Sequence, residues 1–301
     1  MQQIHFSEIE NSGVSLFIKH EDELHPFISG NKYRKLKYNL EEATKQQKST
    51  LLTFGGAYSN HIAAAAAAGF AYNFKTIGII RGDELANNFD ETIQNNPTLK
   101  FASEHNMQFE FVSRADYRNK TSPEFIALLK EKFGDFYLVP EGGTNNFAVK
   151  GCEEILTAED TIYDVVCCAV GTGGTISGII NSLKSHQKAI GFPALKGYFL
   201  QHEIKKYILK SKNWSLNTNY HFGGYAKVSE ELIIFINKFK SETKIPLDPV
   251  YTGKMVFGIV DLIKNDFFEK GTKILAIHTG GLQGIEGMNQ LLKKKNLAQI
   301  V

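Results

Sequence analysis

Three short segments of this sequence place a lysine and glycine-rich turns where they could do chemistry. Residues 30–35 read Gly-Asn-Lys-Tyr-Arg-Lys, residues 55–61 read Gly-Gly-Ala-Tyr-Ser-Asn-His, and residues 171–175 read Gly-Thr-Gly-Gly-Thr. The second and third segments each precede a helical pattern, and backbone N–H groups at a helix start bind anions. A lysine amine can attack an aldehyde. Together the segments indicate covalent chemistry on an aldehyde, with separate sites for a phosphate and a carboxylate, which are the requirements of pyridoxal phosphate.

The segment at 171–175 has the stronger phosphate signature. The segment 164–170, which is apolar from Val165 onward, predicts a buried strand, and a helix is predicted from Ile176, so the turn lies where open α/β sheets bind ligands. Thr172 and Thr175 add hydroxyl donors to the N–H groups of Gly171, Gly173 and Gly174. A dinucleotide-binding fingerprint is the rival interpretation, but its third glycine would fall on Ile176, and the lysine of a phosphate-binding P-loop is absent. A plain strand-to-helix turn is also compatible with this segment.

The segment at 55–61 follows a predicted strand and starts a predicted helix. Ser59 is suited to cap that helix, which is a purely structural role. The same hydroxyl, with the N–H groups of Asn60 and His61, could instead bind a carboxylate or a phenolate.

Lysines are mostly solvated, so Lys32 draws notice only because Gly30 and Asn31 precede it. The nearby charges of Arg34 and Lys35 would discourage a proton on a buried Lys32 and so free its amine. Residues 246–254 read Pro-Leu-Asp-Pro-Val-Tyr-Thr-Gly-Lys, and Tyr225 lies upstream of them. Alone, these tyrosines and the threonine are compatible with core packing or with turn geometry.

Short apolar runs alternate with helical patterns, which predicts an α/β fold with mostly parallel sheets. Because the runs are uniformly apolar, we expect both sheet faces to be covered. The predicted strands are 50–54, 76–80, 108–112, 136–139, 165–170 and 273–277, and the predicted helices are 60–72, 123–133, 146–156, 176–185, 230–239, 255–264 and 282–292.

The composition excludes several classes of function. The chain has 301 residues, of which 43% are hydrophobic and 22% charged, and its net charge of +2 is too small to indicate binding to nucleic acid or to an anionic membrane. No apolar run approaches the length of a membrane span, and the N-terminus does not resemble a secretory signal. Three cysteines without metal-binding spacing predict reduced core residues in a cytoplasmic protein, with no metal site.

Five segments taken together resemble one family of pyridoxal 5'-phosphate enzymes, which includes D-cysteine desulfhydrase and 1-aminocyclopropane-1-carboxylate deaminase. These segments are G-N-K-Y-R-K-L at 30–36, G-G-A-Y-S-N-H at 55–61, G-T-G-G-T at 171–175, D-P-V-Y-T-G-K at 248–254 and H-T-G-G at 278–281. They occur in the family's order over most of the chain.

The resemblance implies a role for each matching position. Lys32 would be the Schiff-base lysine, and Asn60 would bind the phenolic oxygen of the cofactor. Ser59, Asn60 and His61 would hold the substrate carboxylate, with Ser59 also able to take part in proton transfer. The further roles implied are phosphate binding by Gly171, Thr172, Gly173, Gly174 and Thr175, packing of Tyr251 on the cofactor, a second active-site tyrosine at Tyr225, and a partner for the pyridine nitrogen at Thr252.

The resemblance also implies a fold, a reaction and an assembly. The fold would be the tryptophan-synthase-β-like fold type II, with two three-layer α/β/α lobes: a cofactor-binding domain of residues 1–35 and 147–301, and an inserted domain of residues 36–146. Thr252 replaces the glutamate of the deaminase type, and His61 replaces its glutamine, so we expect a lyase that acts on D-cysteine or a similar small D-amino acid. Cyclopropane ring opening is the alternative, and a homodimer is the expected assembly.

Overall fold

The computed structural model describes residues 1–209 and 213–301, which form two β-sheets surrounded by helices. In these residues the strands are β1 (Gln2–Gln3), β2 (Ser15–His20), β3 (Thr50–Gly56), β4 (Lys75–Arg81), β5 (Met107–Val112), β6 (Tyr137–Val139), β7 (Val165–Val170), β8 (Lys188–Pro193), β9 (Trp214–Leu216) and β10 (Lys273–His278). The helices are α1 (Asn31–Lys45), α2 (Asn60–Ala71), α3 (Phe89–Asn95), α4 (Pro97–Glu104), α5 (Arg114–Arg118), α6 (Pro123–Phe133), α7 (Asn146–Cys152), α8 (Gly174–Ser182), α9 (Phe199–Lys205), α10 (Glu230–Thr243), α11 (Thr252–Lys264) and α12 (Gly284–Lys294).

The two sheets use different parts of the chain. The larger has the strand order β1-β2-β10-β7-β8-β9, in which only the β1–β2 pair is antiparallel. The smaller has the order β5-β4-β3-β6, with all pairs parallel, and its strands come from residues 50–139. The predicted α/β architecture with mostly parallel sheets is therefore confirmed. The domain boundaries at 35/36 and 146/147 stay a prediction.

The central strand β7 explains why its sequence is uniformly apolar. All six of its residues are buried, and alternate side chains enter different clusters. Val165, Cys167 and Ala169 pack with apolar residues of α10 and α11, while Val166, Cys168 and Val170 pack with those of α8. Helices thus cover both faces of the strand, as expected for a parallel sheet.

Helix α2, which packs against the smaller sheet, is buried along almost its whole length. Residues 63–68 are alanines, and all of them are buried. Their small side chains let the helix approach its neighbours closely, with Ala64 and Ala67 packing near Leu36 of α1 and Ala66 packing near Leu99 of α4. The helix start, which carries Asn60 and His61, is consequently held in place from several sides.

All six predicted strands and all seven predicted helices are present, although the helix expected over 146–156 ends at Cys152 and continues as a 3₁₀ turn, Glu153–Ile155. The sequence did not predict β1, β2, β8, β9, α1, α3, α4, α5 or α9. The three cysteines are buried and form no disulfide, as predicted. Among the described residues, no helix is both long and apolar enough to cross a bilayer.

Candidate active site

The predicted site residues lie where strands of both sheets end. The turn at 57–59 follows β3, the glycine loop at 171–173 follows β7, and the H-T-G-G segment at 278–281 begins with the last residue of β10. Carboxyl ends of parallel strands meet at one edge of a sheet, which is where ligands of such sheets bind.

Gly30, the residue before α1, packs against the backbone that follows β10. Its φ is +61°, and a Cβ atom at this position would lie 1.9 Å from the Thr279 carbonyl oxygen, so only glycine fits. The N–H of Asn31 donates to the same carbonyl oxygen (3.3 Å). This contact places Lys32 in the first turn of α1, beside the larger sheet.

Lys32 and the glycine loop are linked through Asn31. Lys32 Nζ donates to Asn31 Oδ1 (3.0 Å), and Asn31 Nδ2 donates to Thr175 Oγ1 (2.7 Å). Burial, together with the positive charge of Lys35, lowers the pKa of Lys32 to about 7. A substantial fraction of this amine is therefore unprotonated at neutral pH, as a nucleophile or a base requires.

Lys35, which the sequence reasoning considered only for its effect on the pKa of Lys32, is itself a candidate site residue. Its side chain is 2% exposed, and Nζ donates to the Gly142 carbonyl (2.9 Å), Thr144 Oγ1 (2.9 Å) and Thr172 Oγ1 (3.3 Å). Burial lowers its pKa. Because no carboxylate of the described residues pairs with it, this buried cation lacks a counter-ion at the edge of the glycine loop. A bound phosphate would supply one.

The glycine loop can approach a ligand closely. Gly173 has a φ of +90°, which favours glycine, and a Cβ on Gly174 would lie 2.9 Å from the Thr144 side chain. Because neither residue has a side chain, a ligand can approach the backbone N–H groups of the loop. Helix α8 begins at Gly174 and directs its free N–H groups toward the loop. Together with Lys35 and the hydroxyl of Thr172, these groups fit a dianionic phosphate.

Ser59 caps α2. Its hydroxyl oxygen accepts from the N–H groups of His61 (3.2 Å) and Ile62 (3.4 Å), so the capping role that the sequence allowed is present. Asn60 points toward the H-T-G-G segment, since a Cβ on Gly281 would lie 2.9 Å from Asn60 Nδ2. The helix start therefore faces the same space as the end of β10.

His61 is buried and neutral. The Thr53 hydroxyl donates to the Val139 carbonyl (2.8 Å) and so accepts from His61 Nε2 (2.7 Å), which fixes the hydrogen on Nε2. Burial, with the charges of Lys32 and Lys35, holds the pKa of His61 well below its usual range. Nδ1 has no hydrogen-bond partner among the described residues and is free to accept one.

The two predicted tyrosines lie together. The rings of Tyr225 and Tyr251 are 6.2 Å apart at an angle of 65°, and Tyr225 is 44% exposed whereas Tyr251 is half-buried. A Cβ on Gly171 would lie 3.1 Å from the Tyr251 ring, which places that ring against the glycine loop. Burial raises the pKa of both phenols, so both are protonated donors at neutral pH.

Thr252 is fully buried and bound to Asp248. Its hydroxyl donates to Asp248 Oδ1 (2.8 Å) and accepts from the Asp248 N–H (2.9 Å). Asp248 also accepts from the N–H groups of Val250, Tyr251 and Thr252, which ties the D-P-V-Y-T turn into one unit. Burial raises the pKa of Asp248, although these hydrogen bonds favour the carboxylate. Asp248 is a residue that the sequence reasoning missed.

Lys254 is another buried lysine near these residues, but its amine is occupied. Its Nζ donates to the carbonyls of His221 (2.9 Å) and Gly224 (2.8 Å), and burial lowers its pKa to about 8. Lys35 and Lys254 each donate to two or more acceptors, whereas the Lys32 amine donates to Asn31 Oδ1 and is linked through Asn31 to Thr175 of the glycine loop. An amine, a phosphate site and a helix start are therefore present around one space, and this donor set fits pyridoxal phosphate.

Comparison with known proteins gives the same family. Residues 4–280 match the family described as pyridoxal-phosphate dependent enzyme. The chain is 32% identical over 300 residues to a bifunctional D-cysteine desulfhydrase/1-aminocyclopropane-1-carboxylate deaminase of Arabidopsis thaliana, covering 91% of this chain and 74% of the relative. It is 30% identical over 305 residues to a Thermotoga maritima protein provisionally named a 1-aminocyclopropane-1-carboxylate deaminase, covering 94% of each.

A solved structure agrees with the sequence relatives. The crystal structure of an ACC deaminase homologue, 27% identical, superposes with a TM-score of 0.80 and covers 97% of this chain and 92% of that one. The predicted fold type II is thereby confirmed, as is the predicted cofactor. The chain belongs to the pyridoxal-phosphate dependent enzymes, in the family of D-cysteine desulfhydrase and 1-aminocyclopropane-1-carboxylate deaminase.

Proposed function

We propose that this enzyme catalyses β-elimination from D-cysteine, or from a similar small D-amino acid, to give pyruvate, sulfide and ammonia. The observation that carries the proposal is the combination of Lys32 with Thr252. Lys32 offers an amine whose pKa is lowered to about 7, and Thr252 offers a hydroxyl where the deaminase type has a carboxylate. Cytoplasmic location and homodimeric assembly stay predictions from the sequence.

Different residues of the chain serve the separate steps of the proposed reaction. The start of α2, with Ser59, Asn60 and His61, orients the substrate carboxylate, for which the helix dipole is favourable. The Lys32 amine removes the proton from Cα. The Cβ–S bond then breaks, its electron pair leaves with sulfur as a thiolate, and Tyr225 and Tyr251 supply phenol donors beside the glycine loop. Hydrolysis of the remaining fragment gives the keto acid and ammonia.

Thr252 favours elimination over ring opening. When bound, pyridoxal phosphate supplies an electron sink for the Cα of the substrate. Thr252 provides no carboxylate that would strengthen this sink, and its hydroxyl hydrogen is already donated to Asp248. A thiolate is a good leaving group and demands less of the sink than an unactivated cyclopropane, which also has no Cα–H to remove.

Conversion of 1-aminocyclopropane-1-carboxylate to 2-oxobutyrate and ammonia is the second candidate. The relatives from Arabidopsis thaliana and Thermotoga maritima both bear names that include this deaminase activity. The same lysine and the same fold would serve that reaction, so the names alone support it as well as they support elimination.

The test is release of keto acid and sulfide from a panel of D- and L-amino acids that includes 1-aminocyclopropane-1-carboxylate. We expect the wild-type enzyme to release both products from D-cysteine, and Lys32→Ala to release neither. Lys37→Ala is the matched control, because Lys37 lies on the same helix but is 38% exposed and paired with Glu154. No keto acid from any β-substituted alanine would refute the proposal. Ring opening that improves in Thr252→Glu would favour the second candidate.

A further inference from the structure

A basic cavity lies at the carboxyl end of β4, outside the groups assigned above. Its volume is about 350 Å³, and its lining is four basic residues, one acidic residue and one tyrosine: Arg81, Arg114, Arg118, Lys120, Glu141 and Tyr117. A net charge of +2 for the whole chain makes this concentration of positive charge unusual for the molecule.

Two of the four cations are already neutralised. Arg114 pairs with Glu84, and Lys120 Nζ lies 3.1 Å from Glu141 Oε2. Arg81 and Arg118 form no ion pair with any residue in the described parts of the chain. Their guanidinium groups are therefore available to an outside anion, and arginine binds carboxylates through two parallel hydrogen bonds.

One residue of the cavity lining is a buried tyrosine. Tyr117 is 3% exposed, donates to Glu141 Oε1 (2.7 Å), and places its ring 5.8 Å from the Arg81 guanidinium carbon. An arginine held beside a buried aromatic ring loses less freedom on binding than one in open solvent.

The cavity adjoins the proposed substrate site on two sides. Arg81, the last residue of β4, is in register with Gly56, the last residue of β3, and a Cβ on Gly56 would lie 3.8 Å from Arg81 Nη2. The turn that follows Gly56 leads directly to Ser59. On the other side, Glu141 is followed by Gly142, whose carbonyl accepts from Lys35.

We propose that this cavity binds a carboxylate at the far end of the substrate's leaving group, so that the preferred substrates are thioethers of cysteine with an anionic S-substituent. The inference rests on the proposed function and extends it, since the leaving group of cysteine itself carries no carboxylate that the arginines could bind. In the reaction, Lys32 takes the Cα proton, the Cβ–S bond breaks, and its electron pair leaves as a thiolate that bears the carboxylate. One water completes the balance, giving pyruvate, ammonia and the acidic thiol.

The test compares two substrates of nearly equal size, S-(carboxymethyl)cysteine and S-(carbamoylmethyl)cysteine, as both enantiomers. We expect wild-type kcat/KM to be about tenfold higher for the carboxylate, and Arg81→Gln to abolish most of that preference. Arg118→Gln should reduce the preference as well. Lys132→Gln removes the same charge from the same lobe, but at an exposed ion pair with Glu110 outside the cavity, so it should keep the preference.

Equal losses of kcat/KM for both substrates in Arg81→Gln would overturn the inference, because they would indicate general attraction of anions and not a subsite. No preference for the carboxylate in the wild type would overturn it too. Keto acid released from cysteine but without any preference refutes only this inference. No keto acid from cysteine or from either thioether refutes the proposed function together with it.

Discussion

Replacing Lys35 by methionine should weaken the binding of pyridoxal phosphate specifically through its phosphate. The ammonium group is buried, donates only to uncharged oxygens of Gly142, Thr144 and Thr172, and has no carboxylate partner among the described residues. A phosphate bound by the adjacent glycine loop would be its counter-ion. Methionine keeps the length and the apolar stem of the side chain, so the change removes mainly the charge and its hydrogen bonds.

The expected magnitude follows from the type of contact. A hydrogen bond between charged groups contributes about 1.5–3 kcal/mol, and a factor of ten in affinity corresponds to about 1.4 kcal/mol. We therefore expect the Kd of pyridoxal phosphate to rise roughly 10- to 100-fold in Lys35→Met. Lys37→Met, on the same helix but partly exposed and paired with Glu154, should leave Kd unchanged.

The assay is titration of the cofactor-free protein with pyridoxal phosphate and, separately, with pyridoxal, which lacks the phosphate. In the wild type the phosphate should contribute a large part of the affinity, and in Lys35→Met the difference between the two compounds should shrink by the same 10- to 100-fold factor. If both compounds lose affinity equally, Lys35 acts on the fold or on the aldehyde, and the phosphate argument is wrong.

Three further predictions concern the residues that hold the site together. Thr53→Val should lower the free energy of unfolding by about 1–3 kcal/mol in a urea titration, because His61 Nε2–H loses its buried acceptor, whereas an unchanged value would show that the hydrogen bond is not made. Asp22→Asn tests the pairing of Asp22 with the buried His278, whose Nδ1 lies 3.0 Å from Asp22 Oδ1. Burial alone lowers the pKa of His278, but the hydrogen bond and the charge of Asp22 outweigh this effect and raise that pKa above 6.5. Because the histidine pKa is raised and the carboxyl pKa lowered on folding, the stability lost in Asp22→Asn should be largest between pH 3.8 and 6.5 and should fall outside that window, while a loss that is the same at every pH would contradict the pairing. Gly30→Ala should unfold the junction of α1 with β10, seen as rapid amide exchange at this junction and as loss of cofactor binding, and normal cofactor binding would contradict the fit around this glycine.

Elements with a local cause were predictable from the sequence. The run at 165–170 is buried on both faces, and its uniform apolar pattern indicated this directly. The start of α2 has its own capping residue, Ser59, and the glycine loop has the glycine that its left-handed turn at Gly173 requires. Lys32 was selected as the candidate lysine because Gly30 and Asn31 precede it and because the five segments occur in the family's order.

Elements that depend on distant contacts were missed. Helix α1 has no capping side chain at Gly30, whose conformation is set by the Thr279 carbonyl, some 249 residues away in the chain. Residues three apart lie on the same face of a helix. Because α1 was not predicted, Lys32 and Lys35 could not be placed on one helix face. Strand β8 contains Gly191 and ends in Pro193, both unfavourable for strands, yet it is fully paired with β7. Asp248 was missed because its role consists of hydrogen bonds from the N–H groups of Val250, Tyr251 and Thr252, which a composition pattern does not show.

The central claim is that the Lys32 amine is the one that reacts with the cofactor, and its direct test is borohydride reduction of the cofactor-loaded enzyme followed by peptide mass spectrometry. The account predicts a single pyridoxyl group, attached to Lys32. Attachment to Lys35 or to Lys254, the other buried lysines of this region, would contradict it.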